Sequence, residues 1–122
     1  MSREVIELSL PAKAEYLTAV RLVAGSIAGQ AGFNMEEIED VKTALSEACL
    51  LLMPCKEDTL RLELWIQDGF HAIVRASREQ AACKQSPERE FGSFLLEALS
   101  DKVEFQEHDG ESEYRLFKSL QS

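Results

Sequence analysis

The 122-residue sequence suits a single domain, which we expect to span residues 1–122, and its 45% hydrophobic and 29% charged residues exclude a disordered chain. The formal net charge of −9 argues against nucleic acid or an anionic membrane as the main partner, because both attract clustered lysines and arginines. The longest apolar run, Ala48–Met53, is too short to span a bilayer, and the chain does not open on a basic start with an apolar signal core. We therefore expect a cytoplasmic protein.

The first two predicted elements are a strand and a helix. Apolar residues alternate over Glu4–Leu10, and Pro11 stops a central strand from continuing. Over Lys13–Ala31 the apolar residues recur with the period of a helix that buries one face, and Gly32 ends this helix. The apolar positions of this helix are Tyr16, Ala19, Val20, Val23, Ala24, Ile27, Ala28 and Ala31.

A second helix is predicted to begin at Asn34. Asn34 and Glu37 have the spacing of a capping box, in which each side chain bonds the backbone N–H of the other residue. Pro54 stops this helix. Its core residues are Ile38, Val41, Leu45, Ala48 and Leu52.

Two antiparallel strands follow, over Thr59–Gln67 and Phe70–Ala76, joined at Asp68-Gly69, a dipeptide that favours tight hairpin turns. Because side chains alternate between the faces of a strand, Trp65 lies on one face, which we expect to pack against the helices. Ser77–Gln85 has no clear periodicity and is predicted to be a loop.

The last predicted elements are a helix and a hairpin. Ser86 as the N-cap and Pro87 at the first position begin the helix. Strands over Lys102–Gln106 and Glu113–Phe117 form the hairpin, around Asp109-Gly110. The inner face of the helix is predicted to carry Phe91, Phe94, Leu95, Ala98 and Leu99.

The element order β-α-α-β-β-α-β-β predicts an α+β fold. Helices and hairpins in this order suit a two-layer α/β sandwich, with the helices on one face of a mostly antiparallel sheet. We expect the helices that contain Val20 and Val41 to pack on a sheet that includes Leu62, Leu64 and Val74.

Several segments resemble a known family. Leu10–Leu17, Val20–Leu22 and Glu37–Cys49 resemble the start of the RsbW-type anti-sigma-factor serine kinases, a branch of the histidine-kinase-like ATPase fold. Phe94–Val103 resembles the last helix of that family and the strand that follows it. The resemblance covers most of the chain and is strongest over residues 8–49. It implies the two-layer fold predicted above.

The resemblance also implies where a nucleotide site would lie. In the family, one helix carries a Glu that acts as general base and, four residues later, an Asn that binds the magnesium ion of ATP. The matching residues here are Glu47 and Leu51. A leucine side chain cannot replace an amide oxygen on magnesium, which takes oxygen ligands. We interpret Glu47 as a solvated helix residue, with a vestigial general base as the alternative.

Two further family motifs are altered. An Asp-x-Gly motif that binds adenine reads Ala76-Ser77-Arg78 here. A Gly-rich loop, whose N–H groups approach phosphate, retains only Gly92, and Glu90 stands where phosphate charge would lie. We therefore expect ATP binding to be lost and no cofactor to be needed.

Partner binding is expected on the first helix. Arg21 lies outside the apolar stripe, where the resembling family uses an arginine to contact its partner, and Leu22 is an apolar residue that the fold does not need. An Arg beside an exposed Leu is a plausible interface anchor, although an exposed Arg without such a role is an equal alternative.

The remaining candidate residues are interpreted as structural. Cys49, Cys55 and Cys83 lack a metal-ligand spacing, so we expect buried or idle thiols, with neither a disulfide framework nor a metal site. His71 and His108 lie in or beside strands with no partner motif, and we expect both to have structural roles.

Three hypotheses for function remain. The preferred one is an anti-sigma-like regulatory protein that binds a sigma factor or a STAS-domain antagonist. The second is an active ATP-dependent serine kinase with divergent motifs, which would need ATP and magnesium. The third is a structural subunit of a homodimer or heterodimer.

Overall fold

The computed structural model describes residues 4–53, 59–77, 87–108 and 110–120. Within these ranges no helix is long and apolar enough to cross a membrane. Arg78, Ser86 and all of the predicted Ser77–Gln85 loop except Ser77, which ends a strand, lie outside the described residues. The elements are β1 (Ile6–Pro11), a 3₁₀ turn (Ala14–Tyr16), α1 (Leu17–Ala31), α2 (Met35–Leu52), β2 (Thr59–Ile66), β3 (Gly69–Ser77), α3 (Pro87–Leu99), β4 (Lys102–His108) and β5 (Glu111–Ser119).

The strands form one five-stranded antiparallel sheet in the order β1-β2-β3-β5-β4. Both predicted hairpins are present. In the second, His108 pairs with Glu111, which leaves two residues for the turn, and Gly110 has a φ of 74°. The first is centred on Asp68, because Ile66 pairs with Phe70.

The predicted capping box and C-cap glycine are both present, but α1 begins at Leu17, after the 3₁₀ turn, and not at Lys13. The side chain of Asn34 accepts a hydrogen bond from the Glu37 N–H at 2.8 Å, and the Glu37 carboxylate accepts one from the Asn34 N–H at 2.9 Å. Gly32 ends α1 with a φ of 106°, a left-handed conformation that suits glycine.

The core lies between the helices and one face of the sheet. Val20 and Val41 are buried on α1 and α2, and Leu62, Leu64 and Val74 are buried on the sheet beneath them. These residues confirm the predicted α+β sandwich, with all three helices on one side.

Trp65 is on the opposite face from the one predicted. Leu60, Leu62 and Leu64 face the helices, so Trp65, one residue out of phase, faces away from them. Its ring stacks on His71, which lies directly across the hairpin, with ring centroids 5.0 Å apart and an interplanar angle of 6°. The stacked imidazole helps to cover Trp65, whose exposed fraction is only 8%.

The inner face of α3 also differs from the prediction. Leu96 is buried and Gly92 lies against α2, whereas Phe91 and Phe94 are 64% and 67% exposed. Ala98 is exposed as well. The helix is rotated so that its smallest residue, rather than its largest, meets α2.

Candidate functional site

The candidate site lies where α2 meets α3. Glu47 and Leu51 are one helical turn apart on α2 and share a face. Leu51 belongs to the hydrophobic core and is 4% exposed, whereas Glu47 is half-buried. The position of the family's magnesium ligand is therefore part of the core here, and Glu47 is less solvated than expected.

Gly92 of α3 lies against this face of α2. A β-carbon on Gly92 would lie 2.8 Å from Glu47 Oε2 and 3.4 Å from Leu51 Cδ2. A methyl group would fit only if the Glu47 side chain moved, and a longer side chain would overlap buried Leu51. The structure thus brings Glu47, Leu51 and Gly92 together in a closed junction between the helices.

Of the two other positions that match the family's nucleotide site, Ala76 and Arg78, the structure describes only Ala76. Ala76 is fully buried on β3 and belongs to the same core as Leu51. Its methyl group supplies no carboxylate for an adenine amine. Arg78 lies outside the described residues.

The donor atoms at this junction do not fit a magnesium ion. Magnesium requires several oxygen ligands in octahedral geometry, and Leu51 and Gly92 offer no side-chain oxygen beside Glu47. Across the described ranges, no group of three or more His, Cys, Asp and Glu side chains is placed to hold a metal ion.

Arg21, a candidate partner contact, lies against α2. Its guanidinium donates to Ser46 Oγ at 3.0 Å and lies 3.9 Å from the Glu39 carboxylate. The Ser46 hydroxyl in turn donates to the Lys42 carbonyl oxygen at 2.9 Å. Arg21 is therefore held by neighbours within the chain, and 34% of its side chain is exposed.

Leu22, the second candidate contact, is free of these bonds and 67% exposed. It lies next to Arg21 on α1, whereas Glu47 lies next to Ser46 on α2. Because Ser46 meets α1 and Glu47 meets α3, Arg21 and the α2–α3 junction lie on different faces of α2.

The outer face of the sheet carries an ion-pair network that sequence patterns did not reveal. Glu113 accepts from Arg75 Nε at 2.8 Å and from Arg115 Nε at 2.5 Å, and Arg75 also pairs with Glu63. Burial raises the pKa of Glu113, but the hydrogen bonds from Arg115 and Arg75 outweigh it and hold the pKa below its usual value. Alternating charges on β2, β3 and β5 are the sequence signal, and the strand pairing is needed to interpret it.

The described thiol and imidazole have structural roles. Cys49 is a free cysteine in the core, and burial raises its pKa to about 12, so its thiolate is not populated at neutral pH. His71 Nε2 donates to the Gln67 carbonyl oxygen at 2.9 Å, and its ring lies between Trp65 and Phe117. Cys55, Cys83 and the side chain of His108 lie outside the described part of the structure.

The fold and the α2–α3 junction define a class of protein. An antiparallel sheet in the order β1-β2-β3-β5-β4, covered on one face by three helices, is the architecture of the histidine kinase-like ATPase domain. Residues 10–118 match the sequence profile of that domain. A structure containing the RsbU and RsbW domains of a Mycobacterium tuberculosis protein has the same fold, with a TM-score of 0.75 and 16% identity.

Curated relatives narrow the class. The serine-protein kinase RsbW of Bacillus thuringiensis is 31% identical in an alignment that is 128 residues long. This alignment covers 88% of this chain and 80% of the relative. RsbW of Halalkalibacterium halodurans is 31% identical over 127 residues, covering 88% and 78%. The chain therefore belongs to the RsbW-type anti-sigma-factor serine kinase family, within the histidine kinase-like ATPase fold.

The structural match is partial in length. The alignment with the Mycobacterium tuberculosis structure covers 96% of this chain but 32% of that chain. The chain thus spans about a third of that solved polypeptide.

Proposed function

We propose that this chain is an anti-sigma-factor-like regulatory protein that binds a protein partner, either a sigma factor or a STAS-domain antagonist, and no longer binds ATP. The observation that supports the loss of ATP binding is the closed α2–α3 junction. There, buried Leu51 occupies the position of the family's magnesium ligand, and Gly92 lies too close to Glu47 to accept even a β-carbon without movement.

Two physical effects support this proposal. A site that held Mg-ATP at Leu51 would have to place a divalent cation and phosphate against a buried alkyl group, which leaves both poorly solvated. It would also have to part α2 from α3, since Gly92 lies against both Glu47 and Leu51. Both costs oppose nucleotide binding.

Titration calorimetry with ATP and magnesium tests the proposal. We expect no heat of binding up to millimolar nucleotide, because neither the metal ligand nor the space is present. Serine-protein kinase RsbW from Bacillus thuringiensis, measured in the same buffer, is the positive control. Micromolar binding of ATP by this chain would refute the loss of the site.

An active serine kinase with divergent motifs is the second candidate function. The observation that favours it is the carboxylate of Glu47, which remains at the α2–α3 junction although it makes no described hydrogen bond there. This alternative requires ATP and magnesium. Phosphate transfer to a serine of a STAS-domain protein, lost in the Glu47→Gln variant, would establish it.

The partner surface is proposed to include Arg21 and Leu22. Leu22 is the stronger candidate, because it is 67% exposed and its burial by a partner would remove apolar surface from water. Arg21 supports this surface through its bond to Ser46 and keeps its remaining donors available to a partner.

Replacing both residues tests that surface. We expect Leu22→Ser with Arg21→Glu to weaken partner association by about 2–3 kcal/mol, since an apolar contact is lost and a charge is reversed. Arg21→Glu also places a carboxylate near Glu39 and removes the bond to Ser46, so we expect about 1 kcal/mol of lost folding stability. Thermal melting and analytical ultracentrifugation measure the two effects separately. Unchanged association in the double variant would place the partner elsewhere.

The proposal also includes a cytoplasmic location, because sigma factors act on RNA polymerase there. A homodimer is compatible with it, and sedimentation of the purified chain would give the oligomeric state.

A further inference from the structure

Helix α3 has two apolar faces, and the fold uses only one of them. Gly92 and Leu96 lie against the rest of the protein. The second face follows the i, i+3, i+4, i+7 spacing of a helical stripe and comprises Phe91, Phe94, Leu95 and Ala98. We call these four residues the outer face of α3.

The two phenylalanines of the outer face are exposed because α3 cannot rotate inwards. Phe91 and Phe94 are 64% and 67% exposed, and each is far larger than the glycine that meets α2. A β-carbon at the position of Gly92 would already lie 3.4 Å from buried Leu51. A phenyl ring brought to that position would overlap the core, so the exposure of both rings is imposed by the helix packing.

The exposed area is too small for two copies of this face to form a stable dimer alone. A phenylalanine side chain buries about 200 Å² when fully covered, so the two rings together offer about 260 Å². A stable interface buries about 800 Å² on each partner. The occupant must therefore surround the two rings and contact the surface beside them, as the walls of a groove do.

The charge around the outer face of α3 indicates the chemistry of the partner's groove. Among residues 91–99, Glu97 is the charged residue, and it lies one turn from Phe94 on the exposed surface. Glu47 lies against Gly92, beside Phe91. The whole chain carries a formal net charge of −9, which favours a basic surface on a different protein over the equally acidic surface of a second copy at this face.

We propose that the outer face of α3 is a second docking surface of this protein, and that it inserts Phe91 and Phe94 into an apolar groove with a lysine- and arginine-rich rim on the protein partner. The inference rests on the proposed function, because it assumes a protein partner. It adds a contact on a face of α2 different from the one that Arg21 meets.

The test uses individually purified sigma factors and STAS-domain proteins from the genome that encodes this chain. Each is titrated against the wild type and against the Phe91→Ser, Phe94→Ser double variant. We expect the double variant to bind its partner at least about 30-fold more weakly, since two central aromatic contacts are lost. Met35→Ser is the matched control, because Met35 is 77% exposed on a different helix, and we expect its affinity to stay within about twofold.

A second variant tests the charge of the groove without altering any apolar contact. Glu97→Lys should weaken binding about 5-fold at low salt, and the difference should shrink as the salt concentration rises. Circular dichroism should show that the double Phe variant, Met35→Ser and Glu97→Lys all remain folded, because the altered side chains are exposed.

The outcomes separate the two proposals. If no sigma factor or STAS-domain protein binds the wild type, the proposed function fails and the docking surface fails with it. If one binds, and both the double Phe variant and Glu97→Lys match the Met35→Ser control, the docking surface alone is wrong. A wild-type homodimer that the double variant converts to monomers would make a second copy the occupant and would also overturn the proposal.

Discussion

Replacing Gly69 with alanine is expected to lower the free energy of unfolding by about 3 kcal/mol. A β-carbon there would overlap the Lys118 carbonyl oxygen and lie 2.9 Å from the Ser119 α-carbon. These are backbone atoms of β5, the strand that pairs with β3, and they cannot move without disturbing that pairing. Gly69 also has a φ of +155°, which L-residues rarely adopt. Urea denaturation of the two proteins measures the difference.

Gly32→Ala is the matched control for this prediction. Gly32 has a φ of +106°, but a β-carbon there would meet nothing within 4 Å. Its replacement should therefore cost only the backbone strain, about 1 kcal/mol. Equal losses of stability in the two variants would show that strain alone, rather than the clash with β5, accounts for the effect at Gly69.

The parts of the fold that follow from local signals could be predicted from the sequence. The capping box at Asn34 and Glu37 fixes the start of α2, and its stripe contains Val41, Leu45 and Ala48, all of which are buried. Alternation and turn residues likewise placed the strands. These signals depend on neighbours a few residues away, so they do not require knowledge of the tertiary packing.

The face of α3 that meets the core could not be predicted from periodicity, whereas the two faces of β2 could. Helix α3 has more apolar residues than it can bury, and the choice is made by Gly92, which permits close approach to α2 although glycine carries little hydrophobic signal. Strand β2 alternates, and Trp65 is in phase with Arg61 and Glu63, not with Leu64, so alternation places it on the outer face. The prediction for Trp65 was wrong because it followed the apolar character of the ring instead of this phase.

For the candidate site too, some features could be predicted from the sequence and others required the structure. The positions Glu47, Leu51 and Gly92 came from the resemblance to a family, and their contact required the crossing of α2 and α3. The bond between Arg21 and Ser46 joins residues 25 positions apart, so no local pattern indicates it. Long-range side-chain contacts of this kind depend on the packed structure.

The second large effect is expected at Glu113. Its side chain is 3% exposed and accepts hydrogen bonds from Arg75 and Arg115 on the outer face of the sheet. Replacing Glu113 with Gln removes the charge and keeps the shape. Because hydrogen bonds to charged groups stabilise by about 1.5–3 kcal/mol and Arg115 is half exposed, we expect a loss of about 2 kcal/mol at pH 7.

The loss at Glu113 should depend on pH in a defined direction. Burial raises the pKa of Glu113, but the bonds from Arg115 and Arg75 lower it further, so the folded-state pKa lies below the ordinary value of 4.5. Its stabilisation is therefore fully present above pH 4.5 and is lost as the pH falls through the folded-state pKa. The difference between wild type and Glu113→Gln should shrink between pH 7 and pH 3.

Urea denaturation at both pH values measures this difference. Glu104→Gln is the matched control, because Glu104 lies on the same face with its side chain 46% exposed, 3.4 Å from Lys102. An exposed pair of this kind contributes less than about 1 kcal/mol, so its removal should have little effect at either pH. The other carboxylates make every one of these proteins less stable in acid. Comparing the loss in Glu113→Gln with the loss in Glu104→Gln at the same pH removes this shared effect. A loss at Glu113 that stayed constant from pH 7 to pH 3 would show that its contribution comes from packing, since below pH 4.5 the carboxyl group of the unfolded chain takes up a proton and the stabilisation that depends on its lowered folded-state pKa must decrease.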